Sequence, residues 1–100
     1  MTLMEQWDEL AARYDKNQDM AKKFWTDYYM KEKDVYEQIL SEPETVYTGT
    51  VKELADRFGM DTVYFGAFLD GINESIKTKN EVDRIDEDSE VTIEIDPEKL

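Results

Sequence analysis

Residues 50–72, TVKELADRFGMDTVYFGAFLDGI, decide the fold of this chain because they match the pattern of a helix-turn-helix. Ala55 supplies the small side chain needed where two helices cross, and Gly59 suits a turn with positive φ. Thr50 and Glu53 have the spacing of a capping box, and Asp61 is placed to cap the second helix. We expect these apolar residues to be buried between the two helices: Leu54, Phe58, Met60, Phe65 and Phe68.

The second helix of this hairpin, predicted over residues 61–77, lacks the side chains of a DNA reader. If Phe65, Phe68 and Leu69 face the core, the outward face carries Val63, Gly66, Ala67, Asp70 and Glu74. Direct readout of bases needs Arg, Lys, Asn or Gln on that face. We therefore expect no direct DNA binding. We interpret this face, together with Tyr29, as a candidate protein-binding surface.

Glycines at positions 66 and 71 weaken the second helix, since each costs about 0.5–1 kcal/mol relative to alanine. One interpretation is a close approach between helices, with the aromatic helix of residues 19–40 as the neighbour. The other is the floor of a groove in which a partner helix lies, lined by Val63, Ala67 and Asp70.

Charge and composition restrict the possible functions. The chain has 100 residues, 25 of them acidic and 12 basic, so its formal charge is −13. Residues 81–100 hold nine acids and two bases. This excess either increases solubility or selects a basic partner, and DNA mimicry is a further possibility. No apolar run reaches the ~20 residues that span a bilayer, so we expect no membrane contact and a cytoplasmic location.

Enzymatic signatures are missing. The sequence contains no histidine and no cysteine, which excludes the usual triads and most zinc sites. Carboxylate pairs need a cleft that separates their pKa values, and 100 residues leave little room for one. We predict no catalytic activity, no cofactor and no specific metal site.

The segments around the hairpin predict a four-helix, mainly α domain with a minor two-stranded β ribbon. Thr2 and Glu5 form a capping box for a helix over residues 2–15. A second helix over 19–40 carries the aromatic segment FWTDYYM, which is either core or an interaction surface. The hairpin helices follow at 50–58 and 61–77. Short strands are predicted near 45–48 and 90–96, as in a winged helix-turn-helix.

Three stretches carry a resemblance to a family: KFWTDYYMKEKDVYEQIL, GTVKELADRFGMDTVYFGAFLDGINESI and EDSEVTIEID. They resemble the N-terminal helical domain of uncharacterised bacterial proteins that end in a cysteine-rich SEC-C zinc motif. This chain has no cysteine, so the resemblance implies no zinc binding here. It favours a native protein that continues beyond Leu100, as does the helix start of Asp96-Pro97-Glu98. The alternative is that the protein ends in a frayed helical turn.

Together, these observations favour a protein–protein interaction or regulatory module whose partner is basic. The alternatives are a nucleic-acid-associated transcriptional regulator that needs a partner or a C-terminal segment, or a DNA mimic. Retention of the chain on DNA in a salt-dependent manner distinguishes the regulator from the interaction module.

Overall fold

The computed structural model describes residues 1–41, 45–70, 76–78 and 82–96. Four α-helices and three strands follow one another in the order α1, α2, β1, α3, α4, β2, β3. Their bounds are α1 Leu3–Tyr14, α2 Gln18–Ser41, β1 Val46–Thr50, α3 Val51–Phe58, α4 Thr62–Asp70, β2 Ile76–Thr78 and β3 Glu90–Ile95. A short 3₁₀ helix covers Val82–Arg84. The prediction of a mainly α fold with a minor β element is confirmed.

The starts of α1 and α2 are set by polar side chains. Thr2 Oγ1 accepts a hydrogen bond from the Glu5 amide at 3.2 Å, and Glu5 Oε1 accepts one from the Thr2 amide at 3.1 Å. This is the predicted capping box. At the start of α2, Asn17 Oδ1 accepts from the Asp19 amide at 2.9 Å. Both helices begin within one residue of their predicted positions.

The helix-turn-helix is formed by α3, Gly59 and α4. Gly59 ends α3 with φ 71°, and the amide of Met60 donates to the carbonyl of Ala55 at 2.9 Å. Asp61 Oδ1 accepts from the Val63 amide at 2.9 Å, which confirms the predicted cap of α4. The predicted interhelical residues are all buried: Leu54, Phe58, Met60, Phe65 and Phe68.

The Thr50–Glu53 pair forms half of the predicted capping box. Thr50 Oγ1 accepts from the Glu53 amide at 3.1 Å and donates to Glu53 Oε1 at 3.0 Å. Thr50 also lies in β1 opposite Glu90, so the last residue of a strand is at the same time the cap of a helix. Strand and helix therefore follow one another without a loop.

The sheet has three antiparallel strands in the order β1-β3-β2. Tyr47 lies opposite Ile93, and Thr78 of β2 also lies opposite Ile93, on the other side of the central strand. The inner face contributes Tyr47, Val91, Ile93 and Ile95 to the core. The two predicted strands pair as expected, and β2 is an additional strand.

The helix predicted over residues 61–77 is wrong at its C-terminal end. In the structure α4 ends at Asp70, and Ile76–Thr78 pair with β3 as a strand. Gly71, directly after α4, has low helix propensity. The backbone groups of β2 instead find partners on β3. The prediction missed this because apolar residues at 69, 72 and 76 also fit a helical period.

The hairpin and the sheet follow in the order strand, helix, helix, strand, strand, with the last strand in the middle of the sheet. Helix α1 precedes this arrangement and covers α4. Gly66 allows the contact, because a Cβ at this position would lie 2.9 Å from Leu3 Cβ. The Leu3 amide also donates to the carbonyl of Ile85 at 3.0 Å. The close helix approach predicted from Gly66 is present, but the neighbour is α1 and not the aromatic helix.

Candidate functional site

Trp7 of α1 is the centre of an aromatic cluster that joins α1, α2 and α4. The capping box at Thr2 fixes the first turn of α1 and places Leu3 and Trp7 on its buried face. The centroid of the Trp7 ring lies 5.0–5.7 Å from those of four other rings, at the distances favoured by aromatic pairs: Phe24, Trp25, Tyr28 and Tyr64. Tyr14 stacks on Phe24 with centroids 4.9 Å apart.

A groove of about 760 Å³ opens beside this cluster. Its walls are the first half of α2, Tyr14 of α1 and Tyr64 of α4. Met20 and Met30 are at its edge and are 47% and 64% exposed. The lining residues, which define the tyrosine–methionine groove, are Tyr14, Asp19, Met20, Lys22, Lys23, Phe24, Thr26, Asp27, Met30 and Tyr64.

The groove combines apolar walls with charges on its rim. Methionine is flexible and polarizable, and aromatic and methionine side chains are enriched where proteins dock. Asp19 and Asp27 face solvent beside Lys22 and Lys23, so the charges of the lining residues cancel. The Nζ of Lys31 lies 6.0 Å from the centroid of Tyr64 and extends the basic part of the rim.

Tyrosines around the groove are held in the neutral form. Burial raises the pKa of Tyr64, and the carboxylate of Asp27, the Tyr14 ring and Asp61 add to the increase. Burial is also the main cause of the raised pKa of Tyr28, followed by the charge of Glu32. Their hydroxyl groups therefore stay protonated to a higher pH than those of exposed tyrosines, while their rings supply apolar surface.

The predicted protein-binding face of α4 is wrong at two positions. Gly66 and Ala67 are buried, because α1 and the core enclose α4 on both sides. The helix is apolar around most of its circumference. The helical period of its apolar residues therefore does not show which face is exposed. Asp70, the last residue of α4, is exposed.

Of the other three predicted residues, Val63 and Tyr29 lie in different parts of the structure. Val63 is half-buried and lines a second, smaller cavity of about 450 Å³ beside Leu10 and Arg13 of α1. Tyr29 is 58% exposed, contacts Trp25 and Tyr28, and is not part of the tyrosine–methionine groove. Glu74 lies outside the described residues.

Several groove residues were missed as site candidates, notably Met20, Asp27 and Tyr64. Met20, Asp27 and Met30 follow each other at intervals of seven and three residues, which places them on one side of α2. That spacing was available in the sequence. The contribution of Tyr64 was not, because it depends on how α4 lies against α2.

The acidic residues of the turn before β3 form a surface beside the N-terminus of α3. The amides of Val51 and Lys52 donate to the carbonyls of Ser89 and Glu87, each at 3.0 Å. This seats the turn of residues 86–89 on the N-terminus of α3, where negative charge is favourable. Asp86, Glu87 and Asp88 are exposed there.

Among the residues with described positions, no three acidic side chains are arranged to hold a metal ion. No helix within the same ranges has both the length and the apolar character needed to cross a membrane. No protein-family model matches the chain, and neither curated proteins nor solved structures yield a match.

Proposed function

We propose that this chain is a protein–protein interaction module and that its docking surface is the tyrosine–methionine groove. The observation that carries the proposal is the pair of exposed methionines, Met20 and Met30, beside a groove with aromatic walls. Removal of a large apolar side chain from water lowers the free energy. An exposed pair of such side chains beside a groove therefore marks a place where a partner can bury them.

The dimensions of the groove suit a helical segment. Its lining on α2 runs from Asp19 to Met30, and these 12 positions extend over about 17 Å at the rise of an α-helix. That length matches about three turns of a partner helix. Amphipathic helices dock into such grooves through apolar side chains spaced three and four residues apart.

The net charge of −13 favours a basic segment as the partner. The charges of the groove itself cancel, so this preference comes from the long-range field of the molecule, to which the acidic turn at residues 86–89 contributes. Attraction at long range increases the rate of encounter and decreases with salt. Contacts with the methionines and tyrosines then hold the partner.

The experiment is a titration with two helical peptides that share one leucine stripe and differ in their polar faces, lysine in one and glutamate in the other. The fluorescence of Trp7 and Trp25 reports binding, because both rings belong to the cluster beside the groove. We expect saturable binding of the lysine peptide, weakened at least about tenfold when Met20 and Met30 are both changed to serine.

Leu40→Ser is the matched control. Leu40 is also an exposed apolar residue of α2, 52% accessible, but it lies about 15 Å along the helix beyond Met30. Its replacement should leave peptide binding unchanged. Equal binding by wild type and the double methionine variant would show that the groove is not the docking surface.

The second candidate function is a nucleic-acid-associated regulator, and the winged arrangement of the strands and helices is the observation in its favour. Two features oppose direct binding: α1 covers part of α4, and α4 contains no basic residue. The same chain is therefore passed over immobilised duplex DNA at increasing salt. Retention that falls steeply with salt would favour the regulator over the interaction module.

A further inference from the structure

One stripe of α2 has a charge order that is complementary to itself. Met20, Lys23, Asp27 and Met30 are exposed and follow at intervals of three, four and three residues. This is the spacing of a heptad seam, which keeps one face of a helix toward a neighbour. All four residues line the tyrosine–methionine groove. Asp19 and Lys31 flank this α2 stripe at its two ends.

The central charges of the α2 stripe form no ion pair with the part of the chain that the structure describes. Lys23 and Asp27 are one helical turn apart, yet neither forms an ion pair within 4.0 Å with any residue that the structure describes. Both side chains are exposed. They are therefore available to a neighbouring molecule without the cost of breaking an existing pair.

We propose that, in the absence of another partner, the groove is occupied by a second copy of this chain, with the two α2 helices antiparallel. A two-fold axis level with Trp25 places Met20 opposite Met30 of the second copy. It also places Lys23 opposite Asp27 and Asp19 opposite Lys31. Every contact occurs twice, as in any isologous interface. The inference rests on the proposed function, because it names the occupant of the same groove.

The arrangement of charges distinguishes specific pairing of two copies from a random encounter of two chains. Two molecules that each carry −13 repel one another over most of their surfaces. The groove is a region where acidic and basic residues are equal in number. The antiparallel order brings Lys23 to Asp27 and Asp19 to Lys31 as opposite-charge contacts. In a parallel arrangement with the helices in register, Lys23 would face Lys23 and Asp27 would face Asp27. The charges therefore specify the orientation as well as the partner.

The test is sedimentation of the full chain at concentrations from about 10 to about 500 μM, where weak interfaces are populated, at about 0.15 M salt. We expect a monomer–dimer equilibrium for the wild type. Lys23→Asp and Asp27→Lys each turn two attractive contacts of the dimer into two repulsive ones. Each single variant should therefore raise the dimer dissociation constant at least about tenfold.

Variants that restore opposite charges across the axis distinguish the antiparallel geometry from a general effect of net charge. The double variant K23D/D27K again presents opposite charges across the axis and should dimerise like the wild type. An equimolar mixture of K23D and D27K should form a heterodimer although each variant alone is monomeric. Lys33→Asp changes the net charge by the same amount as K23D, but Lys33 is outside the α2 stripe and should leave the equilibrium unchanged.

Each result either supports or overturns the proposed dimer. A wild type that remains monomeric over the whole range, or a mixture that fails to form the heterodimer, overturns the inference. If the monomeric wild type still binds the lysine peptide through Met20 and Met30, the interaction module stands and the second copy is excluded. Loss of both self-association and peptide binding would remove both proposals.

Discussion

Gly59 is the residue on which the turn of the helix-turn-helix depends. Its φ of 71° is in the left-handed region, and a Cβ placed on it would meet no atom within 4 Å. Alanine here therefore meets no steric obstacle, and its cost comes from the backbone alone. We expect Gly59→Ala to lower the free energy of unfolding by about 1–2 kcal/mol, measured by urea denaturation.

Gly49→Ala is the control for this variant. A Cβ at Gly49 would be 3.7 Å from the nearest atom, an ordinary contact, and the backbone there is extended strand. Its effect should stay within about 0.5 kcal/mol. Equal effects at positions 49 and 59 would contradict the left-handed turn.

Gly66 tests the contact between α1 and α4. A Cβ there would lie 2.9 Å from Leu3 Cβ, which is too close for two side chains on helices. We expect Gly66→Ala to cost about 1–3 kcal/mol of stability through overpacking. Leu3 is buried, so Leu3→Ala alone also costs about 2–5 kcal/mol.

The double variant L3A/G66A separates the steric cost of this contact from the change in helix propensity. Shortening Leu3 provides space for the new Cβ, so the two changes together should cost less than the sum of the single effects. Alanine is the better helix former, and an isolated α4 would gain from it. Additive effects, or a stabilised Gly66→Ala variant, would show that α1 does not cover α4.

Local signals at single residues could be predicted from the sequence. The caps at Thr2 and Asp61 and the turn at Gly59 each depend on a few adjacent residues, and all are present in the structure. The environment of Gly66 depends on a helix more than 50 positions away in the sequence. Its glycine indicated a close approach, but nothing near it in the sequence identified the neighbour.

At the level of elements, the sequence predicted which segments are helical more accurately than it predicted which faces of the helices are exposed. The bounds of α1, α2 and α3 lie within one residue of the predicted ones. For α4, five consecutive residues from Phe65 to Leu69 are buried, so its amphipathic pattern gives little direction. Gly66 and Ala67 were assigned to an outward face of α4 for this reason, and the contribution of Tyr64 to the groove depends on packing that no local period encodes.

The stability of the fold depends on pH in the alkaline range, because tyrosines are buried where α2 packs against α4. Burial raises the pKa of Tyr28, Tyr36 and Tyr64 in the folded chain, whereas in the unfolded chain tyrosine titrates near about pH 10. Above that pH the unfolded state loses these protons first, so it binds fewer protons than the folded state. Stability contributed by the neutral tyrosines is thus complete below about pH 9 and is lost as the pH rises beyond about 10.

Thermal denaturation between about pH 8 and about pH 11.5 checks this dependence. Lysines also lose their charge in this range, so the wild type alone does not isolate the tyrosines. The Tyr28→Phe and Tyr64→Phe variants keep every lysine and should show a shallower decline. Curves that run parallel to that of the wild type would exclude the buried tyrosines as its cause.

At the scale of the whole molecule, a helix-turn-helix hairpin is combined with a three-stranded sheet. The position of a recognition helix is taken by α4, whose middle is packed against Leu3 of α1. The segment between β2 and β3, where a wing would project, contains Ile85, which is buried in the core. Parts of α4 and of the segment after β2 are thus buried. Four of the six large apolar side chains that are exposed among the described residues lie on α2.

Charge is distributed differently on the acidic turn and in the groove. The acidic turn of residues 86–89 lies at the N-terminus of α3, whereas the charged residues that line the groove cancel one another. An overall charge of −13 keeps copies apart at long range. A neutral groove permits specific contact at short range, so association should be sensitive to the position of each charge more than to their number.

The hydrogen bond from the Leu3 amide to the Ile85 carbonyl also has a kinetic meaning. It joins positions 82 residues apart, so the first helix cannot complete its packing until Ile85 has been synthesised. Contacts between such distant segments pay the full entropy of loop closure, and they tend to form late during folding. On the ribosome, α4 would therefore emerge with one side bare, and the N-terminal helix would close over it last.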